Sequence, residues 1–587
     1  MLAPAAPPAA PKDDDLRSVQ QARDLVTAAR KAWEAYAHFS QEKVDRVVEA
    51  AATAASAAAY ELAALAVDET GFGVVEHKFI KNKFASDDVY RFIRDMKTVG
   101  IIREIPERKV VEIAEPVGVV AAIIPSTNPT STAIYKILIS LKSRNAVVLS
   151  PHPAAKRCIL RTAEIMKAAA IAAGAPPGIV DCMSEVTVEG TQELMSHRRT
   201  SVILATGGMG LVRAAYSSGK PAFGVGPGNV PAYVESSADV PRAVKDVLTG
   251  KSYDNGTLCC SEQALLCDAA IESQVRESVV REGGYFLSKD QIEAVTKIAV
   301  LPSRLANPEI VGKSARFIAG KAGFEVPRET RVLVAELQGV GRDYPLSIEK
   351  LSPILAFYVV KDWKEGCERA KAILAYGGMG HTLSIHSSND EIIREFALQK
   401  PAFRIIANSP ATHGAVGYST GLSPAMTLGC GAYGGNITSD NITPLHLINV
   451  KRLAYGIRPV DVAKALEEYG YPGARAPLAK TAKAAAAESP PLPSLPLPSL
   501  EDRIARFLTS RGIPDAASSG FEAEPVAPRP SAPSPAPPPP VAPLEFVSEV
   551  DVRSALNEGR KLPVGPLTLI TPSARDLGNE NNVFLRI

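Results

Sequence analysis

The segment Tyr253-Asp254-Asn255-Gly256-Thr257-Leu258-Cys259-Cys260-Ser261-Glu262-Gln263 holds the residues best able to do covalent chemistry. Cys259 and Cys260 are adjacent and follow a glycine turn. They are too close for an ordinary disulfide, whose Cα atoms sit ~4.4–6.8 Å apart. No Cys or His spacing around them supplies a zinc pattern. A nucleophile is the remaining chemical use. The plain alternative is two buried thiols, since free cysteine is often just a small core residue. His152, His381, His413 and His446 are scattered without ligand spacing and read as solvated or core positions. No metal site is expected.

Loops that carry such residues need strands and helices to hold them. Residues 110–113 and 117–124 read as strands, the second apolar enough for a position buried on both faces. The second strand runs into Pro125-Ser126-Thr127-Asn128-Pro129-Thr130, a polar loop at a strand's carboxyl end, and then a helix over 132–141. A strand at 145–150 leads into Pro151-His152-Pro153 and a helix over 154–173. A strand at 201–205 leads into Thr206-Gly207-Gly208-Met209-Gly210 and a further helix. This alternation implies a parallel, doubly wound sheet. Ligands of such sheets bind at the strands' carboxyl ends, where these loops lie. The glycine turn at 207–210 is either a tight turn or a backbone that approaches a nucleotide; it is not the G-x-G-x-x-G fingerprint. Residues 221–234 read as an irregular extended segment and 239–248 as a helix. Residues 264–429 repeat the alternation as a second α/β domain, with a strand over 354–360.

The remaining chain sets limits. At 587 residues it is too long for one ordinary core. A net charge of +2 gives no electrostatic case for nucleic acid or an anionic membrane. Seven irregularly spaced cysteines suit a reducing compartment. Residues 1–8 lack the basic and apolar regions of a signal peptide. Residues 16–99 are helical in pattern, with Ser40 a plausible N-cap, and carry no catalytic signal. The Ala-rich run 50–66 is interrupted by Glu61 and reads as a helix rather than a membrane span.

Together, three strings resemble the CoA-acylating branch of the aldehyde dehydrogenase superfamily: Asp254-Asn255-Gly256 with Cys259 through Gln263, Pro125 through Thr132, and Glu349-Lys350-Leu351-Ser352-Pro353. The first is similar to the nucleophile loop of bacterial acylating acetaldehyde dehydrogenases, including the aldehyde domain of bifunctional aldehyde-alcohol dehydrogenases. The similarity covers roughly residues 16–456. It implies Cys259 as the nucleophile and Asn128 as the oxyanion asparagine. It implies NAD contacts from Pro125, Ser126, Thr127, Thr206, Gly207, Gly208, Gly210 and Gly226, with Glu349 on the nicotinamide ribose. His152 stands near a lysine of hydrolytic relatives that touches the adenosine ribose, so a ribose or phosphate contact stays open there. Hydrolytic relatives also carry a glutamate that activates water, in a Glu-Leu-Gly-Gly segment; here that segment reads Gly224-Val225-Gly226-Pro227-Gly228. A thioester facing no base hydrolyses slowly, since positioned base catalysis is worth ~10²–10⁴-fold. Coenzyme A, the branch's acceptor, then takes the acyl group.

After about residue 471 the composition changes. Proline-rich stretches at 490–498 and 525–543 read as linkers. Between them residues 499–512 read as a short amphipathic helix, with Ser499 as N-cap, Gly512 as stop, and Leu500, Ile504, Phe507 and Leu508 as one stripe. It is similar to the encapsulation peptides that send enzymes into bacterial microcompartments. Its other reading is docking on its own enzyme body. A helix and a strand are expected near 550–558 and 567–572.

The resulting expectation is an aldehyde dehydrogenase-like α/β fold with two doubly wound domains, a small oligomerisation element and a mostly disordered C-terminal extension. Residues 1–14 are a disordered N-terminus, 15–230 the NAD(P)-binding domain, and 231–430 the catalytic domain. Residues 431–470 return to the cofactor domain and form the oligomerisation element, with 436–450 a candidate for strand exchange. Residues 471–498 are a linker, 499–512 the targeting helix, 513–543 a proline-rich linker and 544–587 a small terminal element. The expected activity is NAD-dependent oxidation of propanal or acetaldehyde to acyl-CoA, in a microcompartment lumen. The expected partners are a shell protein through 499–512 and further copies of the chain, as a dimer or higher; no nucleic acid or membrane partner is expected. The alternatives are a hydrolytic aldehyde dehydrogenase and a catalytically silent shell-cargo adaptor.

Overall fold

The computed structural model describes residues 13–471 and most of 544–587. The expected targeting helix, the flanking proline-rich linkers and residues 1–12 lie outside the described residues.

The long apolar runs become parallel strands. One sheet has five, in the order Val180–Cys182, Ala146–Pro151, Val119–Ile124, Thr200–Thr206 and Ala222–Val225. Every residue of Val119–Ile124 is buried, as its unbroken apolar run requires when helices cover both faces. Strand order reverses between Val119–Ile124 and Thr200–Thr206, which opens a crevice at their carboxyl ends. The helix Pro129–Lys142 crosses beneath it and is buried along its whole length. Its Lys136 is fully buried, and its Nζ donates to the carbonyls of Ile123 at 2.7 Å and Leu204 at 2.8 Å. That amino group ties together the two strands that flank the crevice. Burial with no anionic partner pushes its pKa well below the ordinary lysine range.

The second sheet has seven parallel strands, with Val230–Val234 and Glu262–Asp268 side by side near its centre. The strand expected over 354–360 is Ile354–Val360. The segment expected to be irregular at 221–234 is instead two strands, Ala222–Val225 and Val230–Val234, belonging to different sheets. Only the short Pro/Gly stretch between them is irregular, and it carries the chain from one sheet to the other.

A third, antiparallel sheet is built from Gly100–Ile105, Val110–Pro116 and Ile448–Ala454. Most residues of its last strand are exposed. The N-terminal helices run to Ile93, and Ser40 caps the second by accepting from Lys43 N. The Ala-rich run spans two helices that meet at 60°, and no single described helix is long and apolar enough to cross a membrane.

The chain divides into Met1–Leu466 and Glu467–Ile587. In the second unit, Leu544–Val547, Leu562–Ile570 and Phe584–Arg586 form a parallel three-stranded sheet with the helix Glu549–Asn557. Val547, Val552, Leu562 and Val583 are buried in its small core. The middle strand starts earlier than the sequence pattern suggested, since Pro563 and Pro566, which cannot donate to a ladder, hid its beginning. It accommodates them by a register shift near Gly565, whose N–H donates to Thr568 Oγ1 at 2.8 Å.

Candidate active site

The carboxyl ends of Val119–Ile124 and Thr200–Thr206 open into a cavity of about 740 Å³. Pro125, Ser126, Thr127 and Asn128 line it from the first strand, and His152 from the next. Thr206, Gly207, Gly208 and Gly210 line it from the glycine turn, and Gly226 from the inter-sheet stretch. Cys259 and Glu349 reach it from the seven-stranded half. All twelve residues singled out in the sequence therefore meet in one space. Thr206 Oγ1 is buried there without a hydrogen-bond partner, so a ligand hydroxyl or phosphate oxygen has a donor waiting.

Asn128 ends the polar loop as the residue before the helix Pro129–Lys142, whose first position is proline. Its Nδ2 donates to Thr257 O at 3.1 Å and to Thr127 Oγ1 at 3.2 Å. Its Oδ1 accepts from Lys81 Nζ at 2.6 Å. Thr127 itself lines the cavity, so the second amide hydrogen faces a partner that a ligand oxygen can replace.

The nucleophile loop is held in an unusual backbone. Asp254, Asn255 and Gly256 all have positive φ, at 49°, 54° and 75°. Such residues cost of order 1–3 kcal/mol each when they are not glycine, and persist only where contacts over-determine them. Here the Asp254 carboxylate supplies the contacts. Its Oδ1 accepts from Val74 N at 2.9 Å. Its Oδ2 accepts from Lys78 Nζ at 3.0 Å, Thr257 Oγ1 at 2.6 Å and Lys81 Nζ. Burial alone would raise its pKa, but the two ammonium groups outweigh burial and bring it down to about 2. Burial pushes Lys81 down to about 7. The charged pair is the form the geometry supports, because four donors converge on that carboxylate.

This buried acid yields a prediction. A carboxyl held below its unfolded value of about 4 contributes stability at neutral pH that is lost as pH falls through its folded value. Asp254 is thus expected to contribute fully above pH ~4 and nothing below about 2. Asp254→Asn would leave Lys78 and Lys81 buried without a counter-charge, at a cost of roughly 3–5 kcal/mol in denaturant unfolding at pH 7. The gap between variant and parent should close as pH falls towards 2. A gap that persists there would mean the carboxylate's charge is not what stabilises the loop.

Cys259 is half-buried, whereas Cys260 is buried with its thiol directed at Thr412 O, 3.4 Å away. Contact with Cys260 and then burial push the Cys259 pKa well above the ordinary thiol value, and His381 acts against them. His381 was read from sequence as a solvated or core histidine; it is a core residue that also stands beside the nucleophile. Its Nδ1 is 2.9 Å from Thr382 Oγ1, while Nε2 is buried with no hydrogen-bond partner. Arg404, buried and bonded to Ser439 O at 3.0 Å, also turns its positive charge toward Cys259, Cys260 and Cys430. Gly228 makes this crowding possible: a Cβ there would sit 2.2 Å from Cys259 O and 3.0 Å from the His381 ring.

Glu349 is the one carboxylate lining the cavity. Its Oε1 accepts from Gly228 N at 3.0 Å, and burial raises its pKa to about 7. The segment Gly226-Pro227-Gly228 brings no acid toward the sulfur. Among the described residues no group of three or more His, Cys, Asp or Glu could hold a metal ion. His413 packs its ring 4.5 Å from Tyr253, and His446 lies 3.3 Å from Asp440. Lys78, Lys81 and His381 are the site residues that sequence reasoning missed.

Comparison with known proteins follows the same geometry. Residues 15–299 match the aldehyde dehydrogenase family. The chain is 45% identical over 442 residues to the bifunctional aldehyde-alcohol dehydrogenase AdhE of Escherichia coli (strain K12), covering 74% of this chain and 50% of that protein. It thus spans about half the length of such curated relatives. Among solved structures, an acetylating aldehyde dehydrogenase from Geobacillus thermoglucosidasius is 50% identical, covers 77% of this chain and 99% of its own, and superposes with a TM-score of 0.76. A propionaldehyde dehydrogenase from the Clostridium phytofermentans fucose utilisation bacterial microcompartment is 28% identical, covering 74% of this chain and 98% of its own, with a TM-score of 0.66.

Proposed function

This chain belongs to the aldehyde dehydrogenase family, and from that premise we propose that it is an NAD-dependent, CoA-acylating member acting on short aliphatic aldehydes. The observation that carries this reading is a thiol and an amide donor sharing one cavity, with an imidazole beside the sulfur and no acid in the segment Gly224–Gly228.

In this mechanism Cys259 Sγ attacks the aldehyde carbon. Its ionisation is opposed by burial and Cys260 and favoured by His381 and Arg404. The new oxyanion is held by Asn128 Nδ2–H, which gives up Thr127 Oγ1, and by the Cys259 backbone N–H. The Thr206–Gly210 turn, Gly226, Pro125–Thr127, His152 and Glu349 are the residues that hold NAD. The bare backbone of the glycines and the unpartnered Thr206 hydroxyl fit a dinucleotide. When bound, NAD accepts the hydride that leaves the tetrahedral carbon. The acyl group stays on Cys259 as a thioester. The thiol of coenzyme A then attacks that carbon, the C–S bond to Cys259 breaks, and His381 is placed to manage the proton exchanged between the two sulfurs. Both esters are thioesters of similar energy, so the exchange runs either way.

The test is turnover of acetaldehyde and propanal with NAD, with and without CoA. Sustained NADH formation and acyl-CoA are expected only when CoA is present; without it, at most one NADH per site should appear before turnover stalls. Sustained CoA-independent NADH with carboxylic acid as product would favour the hydrolytic alternative, with Glu349 as its base. No NADH under either condition would favour the silent adaptor.

The five-stranded half is assigned to the cofactor and the seven-stranded half to catalysis. Self-association is proposed through the antiparallel sheet, whose outer strand Ile448–Ala454 exposes Leu453. Packaging in a microcompartment rests on the amphipathic pattern of residues 499–512 and on likeness to the microcompartment enzyme.

A further inference from the structure

The structure assigns Lys81, on a helix far from the catalytic loops in sequence, as the residue that positions the Asn128 amide for oxyanion binding; this rests on the role proposed above for Asn128. Lys81 and Lys78 lie one turn apart on the helix Val75–Lys83, and both are nearly fully buried. Lys81 Nζ donates to Asn128 Oδ1 at 2.6 Å, and Lys78 Nζ donates to the carbonyl of Thr127 at 3.0 Å. The pair thus holds the side chain of one loop residue and the backbone of the one before it.

An asparagine amide has a donor end and an acceptor end, and a half-turn exchanges them. Only one orientation suits Asn128. With Oδ1 on the ammonium, Nδ2 faces Thr257 O and the cavity. The flipped amide would press two donors together at Lys81 and two acceptors together at Thr257. A positive charge on Oδ1 also draws electron density from the amide nitrogen, which makes its N–H a stronger donor to a developing negative oxygen. The charge is retained because Asp254 balances it. Asp254 stands five residues before Cys259 on the nucleophile loop. Lys81 therefore connects the two halves of the reacting centre: the amide that receives the negative charge and the loop that delivers the sulfur.

The test is a double-mutant cycle in the full-length enzyme with acetaldehyde, NAD and CoA. Lys81→Met is expected to lower kcat about 10- to 100-fold, less than the loss of the donor itself, with KM for aldehyde and NAD little changed. Alkylation of Cys259 by iodoacetamide, which forms no oxyanion, should keep its parental rate. In an Asn128→Ala background, Lys81→Met should slow the enzyme no further. Lys81→Arg should restore part of the lost kcat. Losses that multiply in the double variant, a parental kcat in Lys81→Met, or an equally slowed alkylation would each overturn the inference. If Asn128→Ala alone keeps full activity, the oxyanion role falls and this inference with it. If Asn128→Ala is slow but the losses multiply, only this inference falls. Should Lys81→Met fail to fold, Lys81→Leu, which likewise carries no donor, is used in the same cycle under the same criteria.

Discussion

Cys259→Ala is expected to abolish aldehyde-dependent NADH formation, with a loss of at least ~10⁴-fold, because no covalent route then remains. The change removes one half-buried atom at the cavity wall, so the fold should survive and NAD binding should persist. Cys260 does not substitute. Its thiol is buried and donates to Thr412 O at 3.4 Å, away from the cavity. Fluorescence titration of the variant with NADH, beside the turnover assay, separates lost chemistry from lost structure. Substantial turnover with an intact cofactor site would reassign the nucleophile.

Asn128→Ala is expected to cost ~10²–10³-fold in kcat, the price of one oxyanion donor or about 2.7–4 kcal/mol. Aldehyde KM should change little, since the amide meets the oxygen only once negative charge develops on it. The substitution empties Lys81's acceptor at Oδ1 but leaves its ion pair with Asp254. Thermal unfolding should therefore shift far less than turnover. Equal kcat in variant and parent would place oxyanion stabilisation on backbone groups alone.

Much of the scaffold was legible because buried parallel strands are written as continuous apolar runs. Residues 119–124 and 354–360 need no distant partner to be recognised as strands. The loops that line the cavity were legible for a related reason, since a polar or glycine-rich stretch directly after such a run sits at a strand's carboxyl end. The crossing between sheets was not. Residues 222–225 and 230–234 are short and interrupted by proline and glycine, and local pattern cannot tell that they pair with different neighbours. Lys78 and Lys81 were invisible for a deeper reason. A lysine-rich helix reads as a solvated face, and only the carboxylate of Asp254, contributed by a distant loop, makes burying both charges tolerable. His381 likewise looks like any lone histidine beside glycines until the fold brings Gly228 and Cys259 against its ring.

The partnership between Asp254 and the helix Val75–Lys83 joins residues 173 and 176 positions apart in the chain. The smallest piece of this protein able to work is therefore larger than its five- and seven-stranded sheets suggest. A truncation beginning at the first strand would keep every group that touches the aldehyde, yet would leave the reactive loop with an unanswered negative charge and a twisted backbone held only by Thr257 Oγ1 and the carbonyl of Gly312. Supplying the missing helical portion as a separate polypeptide should restore such a fragment.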